Sequence, residues 1–295
     1  MNKGVLYAGG AYLLWGLFPI YWKALQNVPA TEILGHRMVW SLGFVVLLLA
    51  FRRHWGWVKT AVSTPRTLIT FIASGILLGI NWLTYIWGVN AGFVVETSLG
   101  YFINPLVSVV FGVLFLRERL RVGQWTAVFI AFIGVVYLTM TYGQLPWIAL
   151  TLAFSFACYG LLRKTATLNS VEGLSMETAV LFPFALAYLL YLGFTGQAVF
   201  AHASWMTTLL LVLTGGVTAV PLLLFAAGAR RINLSTLGIL QYIAPTIQFL
   251  LGIFLYNEPF TIQRFIGFSL IWLALLVYSV EGVRNGRKLR LQSAV

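Results

Sequence analysis

The sequence has no aspartate, one cysteine and only three histidines. Without aspartate a Ser-His-Asp triad cannot form, and the single Cys158 excludes an intrachain disulfide and a multi-cysteine metal site. No two histidines are spaced as zinc ligands, and no lysine directly follows a glycine, as a phosphate-binding loop requires. The sequence therefore predicts no catalytic residues, no metal site, no cofactor and no ATP-driven activity for this chain alone.

Charged residues of any kind are scarce. Only 9% of the 295 residues are charged and 60% are hydrophobic, with a mean hydropathy of +0.90, whereas a soluble domain is about half apolar and a quarter charged. Ten membrane spans of about 20 residues each would use about 200 residues. This composition predicts an all-α polytopic membrane protein, surrounded by the lipid bilayer, with no room for a soluble catalytic domain.

Long hydrophobic runs, separated by charged or turn-forming residues, predict ten spans. The first run is interpreted as a span and not as a removed signal, because no small-residue cleavage site closely follows it. The predicted spans are residues 4–22, 33–51, 68–89, 95–116, 122–142, 145–162, 174–194, 206–228, 233–256 and 262–281.

The net charge of +12 indicates orientation and not a nucleic-acid partner. When the loops are assigned alternately to the two sides of the membrane, 16 of the 19 basic residues fall on one side. Two basic residues, Lys23 and Arg264, fall on the other side, and Arg37 lies inside the second span. By the positive-inside rule, both termini are predicted to be cytoplasmic.

The two halves of the chain align at an offset of 140 residues. Matches at this offset include Gly88 with Gly228, Pro105 with Pro245, Gly112 with Gly252, and Glu118 with Glu258. Each repeat holds five spans, an odd number, so the second copy must be inverted in the membrane. We therefore predict two inverted five-helix repeats, residues 1–142 and 143–295, the second ending in a short basic cytoplasmic tail. Inverted repeats can expose a central site to each face in turn.

Pro105 and Pro245 lie near the middle of the fourth and ninth predicted spans. A proline inside a helix removes one backbone hydrogen bond and frees the carbonyl four residues earlier, here that of Tyr101 and of Gln241. Matched interruptions in two repeats are typical of a transporter site. The two prolines are predicted to act as hinges, although a plain kink explains them equally well.

Polar and aromatic side chains recur at helical spacing near these prolines and on the first and third spans. Aromatic rings could stack on an amphipathic substrate or a cation, and packing is the alternative role. The predicted substrate-binding residues are Tyr12, Trp15, Asn81, Tyr85, Tyr101, Asn104, Gln241 and Tyr242.

Charges inside a span indicate function, and Arg37, Glu96 and Glu177 are predicted to act in gating or coupling. Arg37 and Glu96 are expected to pair and close an outer gate. Glu177 is expected to contact a cluster of basic residues, namely Arg117, Arg119, Arg163 or Lys164. Snorkelling to the nearest interface is the alternative. Proton coupling through Glu96 or Glu177, exchange and facilitated diffusion all stay open.

Four segments, "EILGHRMVWS", "SLGYFINPL", "FSFACYGLLRK" and "LSTLGILQYIAPT", resemble the RarD-type branch of the EamA family in the drug/metabolite transporter superfamily. The resemblance covers essentially the whole chain. It implies residence in the bacterial inner membrane and movement of small organic molecules, commonly outward.

We therefore expect a secondary exporter of small amphipathic molecules such as amino acids, metabolites or drugs. A membrane-embedded enzyme and a non-transporting scaffold are the alternatives. Substrate identity, direction of transport and oligomeric state stay open.

Overall fold

The computed structural model describes residues 3–52, 55–117, 120–229, 231–232 and 240–292. All regular elements in these ranges are helices, which confirms the all-helical prediction. They are α1 (Lys3–Gly16), α2 (Phe18–Ala24), α3 (Ala30–Arg52), α4 (Gly56–Ser63), α5 (Pro65–Asn90), α6 (Val94–Leu116), α7 (Val122–Tyr142), α8 (Trp147–Thr165), α9 (Ser170–Phe194), α10 (Trp205–Ala229), α11 (Ile243–Leu250, continued by a π-helical turn at Leu251–Leu255) and α12 (Ile262–Gln292).

Eight helical segments of the described ranges are long and apolar enough to cross a membrane, with α1 and α2 counted together, and two shorter apolar helices lie at Trp147–Arg163 and Ile243–Leu255. Large apolar side chains cover much of the outside of the bundle; for example, Phe51 and Phe194 are 80% and 87% exposed. These are the features of a multi-pass membrane protein. The predicted start of the ninth span lies outside the described residues, and the count of ten stays a prediction.

Three elements differ from the predicted spans. The first span is two helices broken at Leu17, because Pro19 in the first turn of α2 has no N–H to donate back into α1. The short helix α4 occupies a predicted loop; it is too short and too polar to register as a span. Helix α12 continues to Gln292, eleven residues past the predicted end of the last span, so its last turns extend beyond the apolar segment that predicted the span.

The two halves of the chain interlock. The most extensive packing joins α6 to α8, α7 to α12, α1 to α10, α3 to both α9 and α10, and α5 to α8. Helices α6 and α8 approach so closely that a Cβ on Gly100 would lie 2.7 Å from the carbonyl oxygen of Ala149. Any site at the centre of this bundle must therefore be built from both halves.

One end of the bundle is filled by a buried apolar cluster. Helices α3, α6, α8, α10 and α12 begin at this end, called the upper end below, and α5, α7 and α9 begin at the opposite, lower end. The cluster includes Trp22, Leu25, Ile33, Val89 and Ile148, each at most 1% exposed. These side chains close the upper end above the centre of the bundle.

Candidate functional site

A cavity of about 540 Å³ lies between the two halves. Its volume is within the range of roughly 300–1,000 Å³ that is usual for small-molecule sites. Toward the lower end it is lined by Leu168 and Asn169, which belong to the connection between α8 and α9. The cavity is therefore closed above by the apolar cluster and extends toward the lower end.

Seven of the eight predicted binding residues line this cavity. They are Tyr12, Trp15, Asn81, Tyr85, Tyr101, Asn104 and Gln241. Tyr242 does not line it; its side chain packs against the neighbouring core and hydrogen-bonds with Ser279 of α12. Gln241 and Tyr242 lie in the turn that precedes α11, and the Gln241 side chain hydrogen-bonds with that of Tyr242. Substrate contact by the other seven stays a prediction.

Three aromatic rings form one wall of the cavity. The ring centroids of Tyr12, Trp15 and Phe225 lie 5.4 to 5.9 Å from one another, and all three residues line the cavity. Such tilted and edge-on pairs hold each other in place. The wall can therefore receive an apolar or aromatic group without rearranging.

The two cavity asparagines have different roles. Asn81 donates from Nδ2 to the carbonyl of Leu152 and to Oγ of Ser155, both at 3.0 Å, so its amide ties α5 to α8. Within the described part of the chain, the one hydrogen bond of the Asn104 side chain is long: its Oδ1 accepts from the hydroxyl of Ser108 at 3.5 Å. Of the two, Asn104 keeps more hydrogen-bonding capacity for a ligand.

Gln248 of α11 is a cavity residue whose partner the sequence does not reveal. Its Nε2 donates to the carbonyl oxygen of Trp15 at 3.0 Å, the carbonyl that Pro19 cannot engage four residues later. The break in the first span is thus stabilised by a side chain from the other half of the chain. The spacing of Trp15 and Pro19 could have predicted the free carbonyl, but not the residue that fills it.

The two predicted hinge prolines occupy different positions. Pro105 lies inside α6 and is buried, as expected, but it does not line the cavity. Pro245 lines the cavity yet is the third residue of α11, so the prediction of a mid-helix position is wrong. Gln241 and Tyr242 form a turn before α11 begins, and a first turn tolerates proline. Sequence reasoning missed Pro183 and Pro221, which lie inside α9 and α10.

Arg37 lines the cavity and is only 3% exposed. Its Nε donates to the hydroxyl of Thr218 at 2.9 Å, and its guanidinium lies 3.6 Å from the ring centroid of Trp82. Glu96 instead accepts from the backbone N–H of Ile148 at 3.2 Å, at the first turn of α8. The expected pair of Arg37 with Glu96 is therefore absent from this conformation, because Glu96 satisfies a helix N-terminus and Arg37 stacks on an aromatic ring.

Glu177 is buried, 1% exposed, near the lower end of the cavity. Its Oε1 lies 3.8 Å from Nε of Arg163 and accepts from the hydroxyl of Ser74 at 2.8 Å, while Oε2 accepts from Tyr159 at 3.4 Å. Arg163 is one of the four expected partners; Arg119 lies outside the described residues. A role of Glu177 in gating or coupling stays a prediction.

Glu258 joins the two halves at the upper end. Its carboxylate oxygens accept from the backbone N–H groups of Val94 at 2.6 Å and Val95 at 2.8 Å, at the start of α6. Burial raises the pKa of the Glu258 carboxyl, and the two N–H donors oppose that rise. A carboxylate beside a helix N-terminus offsets the helix dipole, and here the helix belongs to the other half. Glu118, its repeat counterpart, lies outside the described residues.

Glu32 makes a similar connection. Its Oε1 accepts from the N–H groups of Val199 and Phe200 at 2.9 and 3.0 Å, in the connection between α9 and α10. Together with Glu96 and Glu258, it forms a set called the upper carboxylates below. Each member accepts from backbone N–H groups of the opposite half, so this set joins the two halves at the upper end.

A model of the EamA-like transporter family matches the chain twice, at residues 2–140 and 146–280. The chain belongs to the EamA-like transporter family. The resemblance noted in the sequence is thereby confirmed. EamA membership makes the chain a multi-pass membrane transporter.

Curated EamA relatives extend over nearly the full length. The chain is 50% identical to Protein RarD of Streptomyces exfoliatus, over 98% of this chain and 92% of that protein. It is 49% identical to the uncharacterized transporter YojE of Bacillus subtilis strain 168, over 96% and 95%. A crystal structure of a protein with 19% identity superimposes with a TM-score of 0.60, covering 94% of this chain and 97% of that one; this shows the fold alone.

Proposed function

We propose that this EamA protein is a secondary transporter of the bacterial inner membrane that exports small amphipathic organic molecules by alternating access. The observation that carries the proposal is the cavity of about 540 Å³ between the interlocked halves. Because both halves line it, a relative movement of the halves would change which end is open. An aromatic wall and a few polar groups suit an amphipathic ligand.

Two observations support inverted repeats. The family model matches the chain twice, and helices of the second half begin 140 residues after those of the first. The paired starts are Ala30 and Ser170, Pro65 and Trp205, and Val122 and Ile262. With five spans per half, the second repeat inverts the first, and by the positive-inside rule the upper end faces outward and both termini are cytoplasmic.

In this arrangement the structure corresponds to an inward-facing conformation. The upper carboxylates and the apolar cluster around Trp22 close the outside, and the cavity reaches the α8–α9 connection on the inside. The pair of Arg163 and Glu177 lies at this inner end. We assign the upper carboxylates to the outer gate, in place of the pair of Arg37 and Glu96, and the pair of Arg163 and Glu177 to the inner gate.

The alternatives require features that fit this cavity less well. An enzyme needs an acid and a base that converge on one point, whereas the described lining of the cavity includes two arginines and no carboxylate or histidine. A scaffold needs no polar and aromatic cavity shared between two repeats. The geometry therefore favours transport.

Reconstitution into proteoliposomes tests the proposal. A panel of amino acids, amphenicols and cationic drugs is loaded inside, and counterflow of the labelled compound is measured with and without a pH gradient. We expect saturable counterflow for at least one compound and none in protein-free liposomes. A response to the pH gradient would indicate proton coupling through a buried carboxylate, whereas its absence would indicate exchange or facilitated diffusion. No counterflow for any compound would contradict the transporter proposal.

A further inference from the structure

The central cavity has an excess of positive charge. Arg37 and Arg163 line it, and its described lining contains no carboxylate. Both side chains carry a guanidinium cation. Arg163 has Glu177 at 3.8 Å, whereas Arg37 forms no ion pair with any carboxylate in the described part of the chain. One buried positive charge at the cavity is therefore left unbalanced by the described residues.

Arg37 is held rigidly in spite of this. Thr218 accepts from its Nε at 2.9 Å, Trp82 stacks on the guanidinium at 3.6 Å, and the Trp22 ring lies 5.2 Å away. Stacking offsets part of the cost of burying a cation but supplies no opposite charge. Among the described residues, Nη1 has no hydrogen-bond partner. An immobilised, unpaired guanidinium at a cavity is the arrangement expected of an anion-binding group.

The rest of the cavity is suited to an apolar body with few polar groups. The rings of Tyr12, Trp15 and Phe225 form one wall. The hydroxyl of Tyr85, which also lines the cavity, has no hydrogen-bond partner among the described residues. The site thus combines one unbalanced cation, an unpaired hydroxyl and an aromatic surface within about 540 Å³.

We propose that the transported molecule is a small organic monoanion whose carboxylate pairs with Arg37 and whose apolar body packs against Trp15 and Phe225. One unbalanced guanidinium calls for one negative charge, and a carboxylate matches its planar N–H groups. A cation would add a second positive charge beside Arg37. This inference rests on the proposed function, since it names the substrate class of the same cavity.

Three probes with the same phenyl group and different charges test the inference. They are N-acetyl-L-phenylalanine, a monoanion; N-acetyl-L-phenylalaninamide, which is neutral; and phenethyltrimethylammonium, a cation. Binding to the purified full-length protein in an uncharged detergent is followed by tryptophan fluorescence and by the thermal shift. We expect the dissociation constant of the anion to be lower than that of the amide by about tenfold or more.

Variants of Arg37 assign the preference to one side chain. Arg37→Gln should bind the anion and the amide equally, while Arg37→Lys should keep a reduced preference for the anion. Arg121→Gln is the matched control, because Arg121 pairs with Glu281 outside the cavity and its loss should leave the preference unchanged. If Arg37→Gln fails to fold, binding of the three probes to the wild type and to Arg37→Lys still tests whether the cavity prefers the anion.

The inference is overturned if the wild type binds the amide or the cation as tightly as the anion. Absence of anion binding at millimolar concentration, or an unchanged preference in Arg37→Gln, would overturn it equally. Counterflow of the same probes separates this failure from failure of the proposed function. If the amide or the cation is transported without a preference for the anion, the proposed transport function stands and the monoanion inference is rejected. If the anion binds but no compound is transported, the inferred anion site stands and the proposed transport function is rejected.

Discussion

Gln248 shows how one side chain can hold a broken membrane helix together. Its amide satisfies the Trp15 carbonyl that Pro19 leaves free. Gln248→Leu should leave this carbonyl without a partner and lower the free energy of unfolding by about 1–3 kcal/mol. Thermal unfolding in detergent measures the effect. Gln197→Leu, at an exposed position between α9 and α10, is the control and should change little; equal loss in both variants would contradict the role of Gln248.

Trp15 tests the aromatic wall. Trp15→Ala removes one of the three rings that pack together at the cavity, so we expect counterflow to fall by about tenfold or more, since burying an aromatic group is worth about 1.5–3 kcal/mol. Trp205→Ala removes a tryptophan that is 72% exposed on the outside of the bundle. Unchanged counterflow in Trp15→Ala, with the control also unchanged, would place the substrate elsewhere.

A buried and an exposed ion pair of the same chain should contribute differently to the free energy of unfolding. Glu177→Gln removes a carboxylate that is 1% exposed from Arg163, Ser74 and Tyr159. Breaking a buried pair on one side costs about 3–5 kcal/mol. Glu281→Gln breaks an exposed pair with Arg121, for which about 0–1 kcal/mol is typical. Thermal unfolding of both variants compares them; equal shifts would show that burial does not decide the cost.

The sequence alone predicts many of the residues that line the cavity, but not the hydrogen-bond partners of those residues. Arg37, Asn104 and Gln241 are polar groups in apolar spans, a pattern that is visible without a structure. Their contacts depend on how helices from different halves cross. The pairing of Gln248 with Trp15 and of Glu96 with Ile148 joins residues that are distant along the chain, and no local pattern encodes such a pairing.

At the scale of elements, helix α6 depends on a carboxylate from the opposite half. Glu258 accepts from the N–H groups of Val94 and Val95, which have no partner inside their own helix. Glu258→Ala should leave both N–H groups buried and unpaired and cost about 1–3 kcal/mol. Glu258→Gln keeps one acceptor oxygen and should cost less. Circular dichroism during thermal unfolding measures both, and a larger loss in Glu258→Gln would contradict this explanation.

Most elements could be predicted because apolar runs are long and their ends are charged or contain turn residues. The predicted fifth span, 122–142, coincides with α7, and the fourth, 95–116, begins one residue after α6. Hydropathy fails where the backbone breaks without a loss of apolar character. Leu17 interrupts the first span, and α11 begins at Ile243 within the predicted ninth span; proline and the contacts with other helices determine these breaks.

At the scale of the whole molecule, the few carboxylates act as connections between the halves. Of the six acidic residues that the structure describes, at least five contact the opposite half, namely Glu32, Glu96, Glu177, Glu258 and Glu281. A chain with so little charge thus uses most of its described acidic residues at the interface between its two halves. In the proposed mechanism, movement of the halves breaks these contacts, so we expect the carboxylates to influence the relative stability of the open and closed ends.

The upper carboxylates can therefore be tested as a group. Replacing Glu32, Glu96 and Glu258 by Gln keeps one acceptor oxygen at each position but removes the charge that strengthens the bonds to backbone N–H groups. We expect the upper end to open more often. A cysteine at Val89, which is 0% exposed in the apolar cluster, in a Cys158→Ser background, should then react about tenfold faster with an impermeant maleimide added outside whole cells.

A cysteine at Leu145, 59% exposed in the connection between α7 and α8 at the same end, provides the control. It should react quickly with or without the three substitutions, because Leu145 is already exposed while the carboxylates are in place, and its labelling from outside also tests the proposed orientation. Weakening charge-assisted bonds at three positions shifts an equilibrium between conformations only if the two conformations differ in those bonds. Equal labelling rates of the Val89→Cys variant with and without the three substitutions would therefore mean that the upper carboxylates stabilise the fold and take no part in the proposed gate.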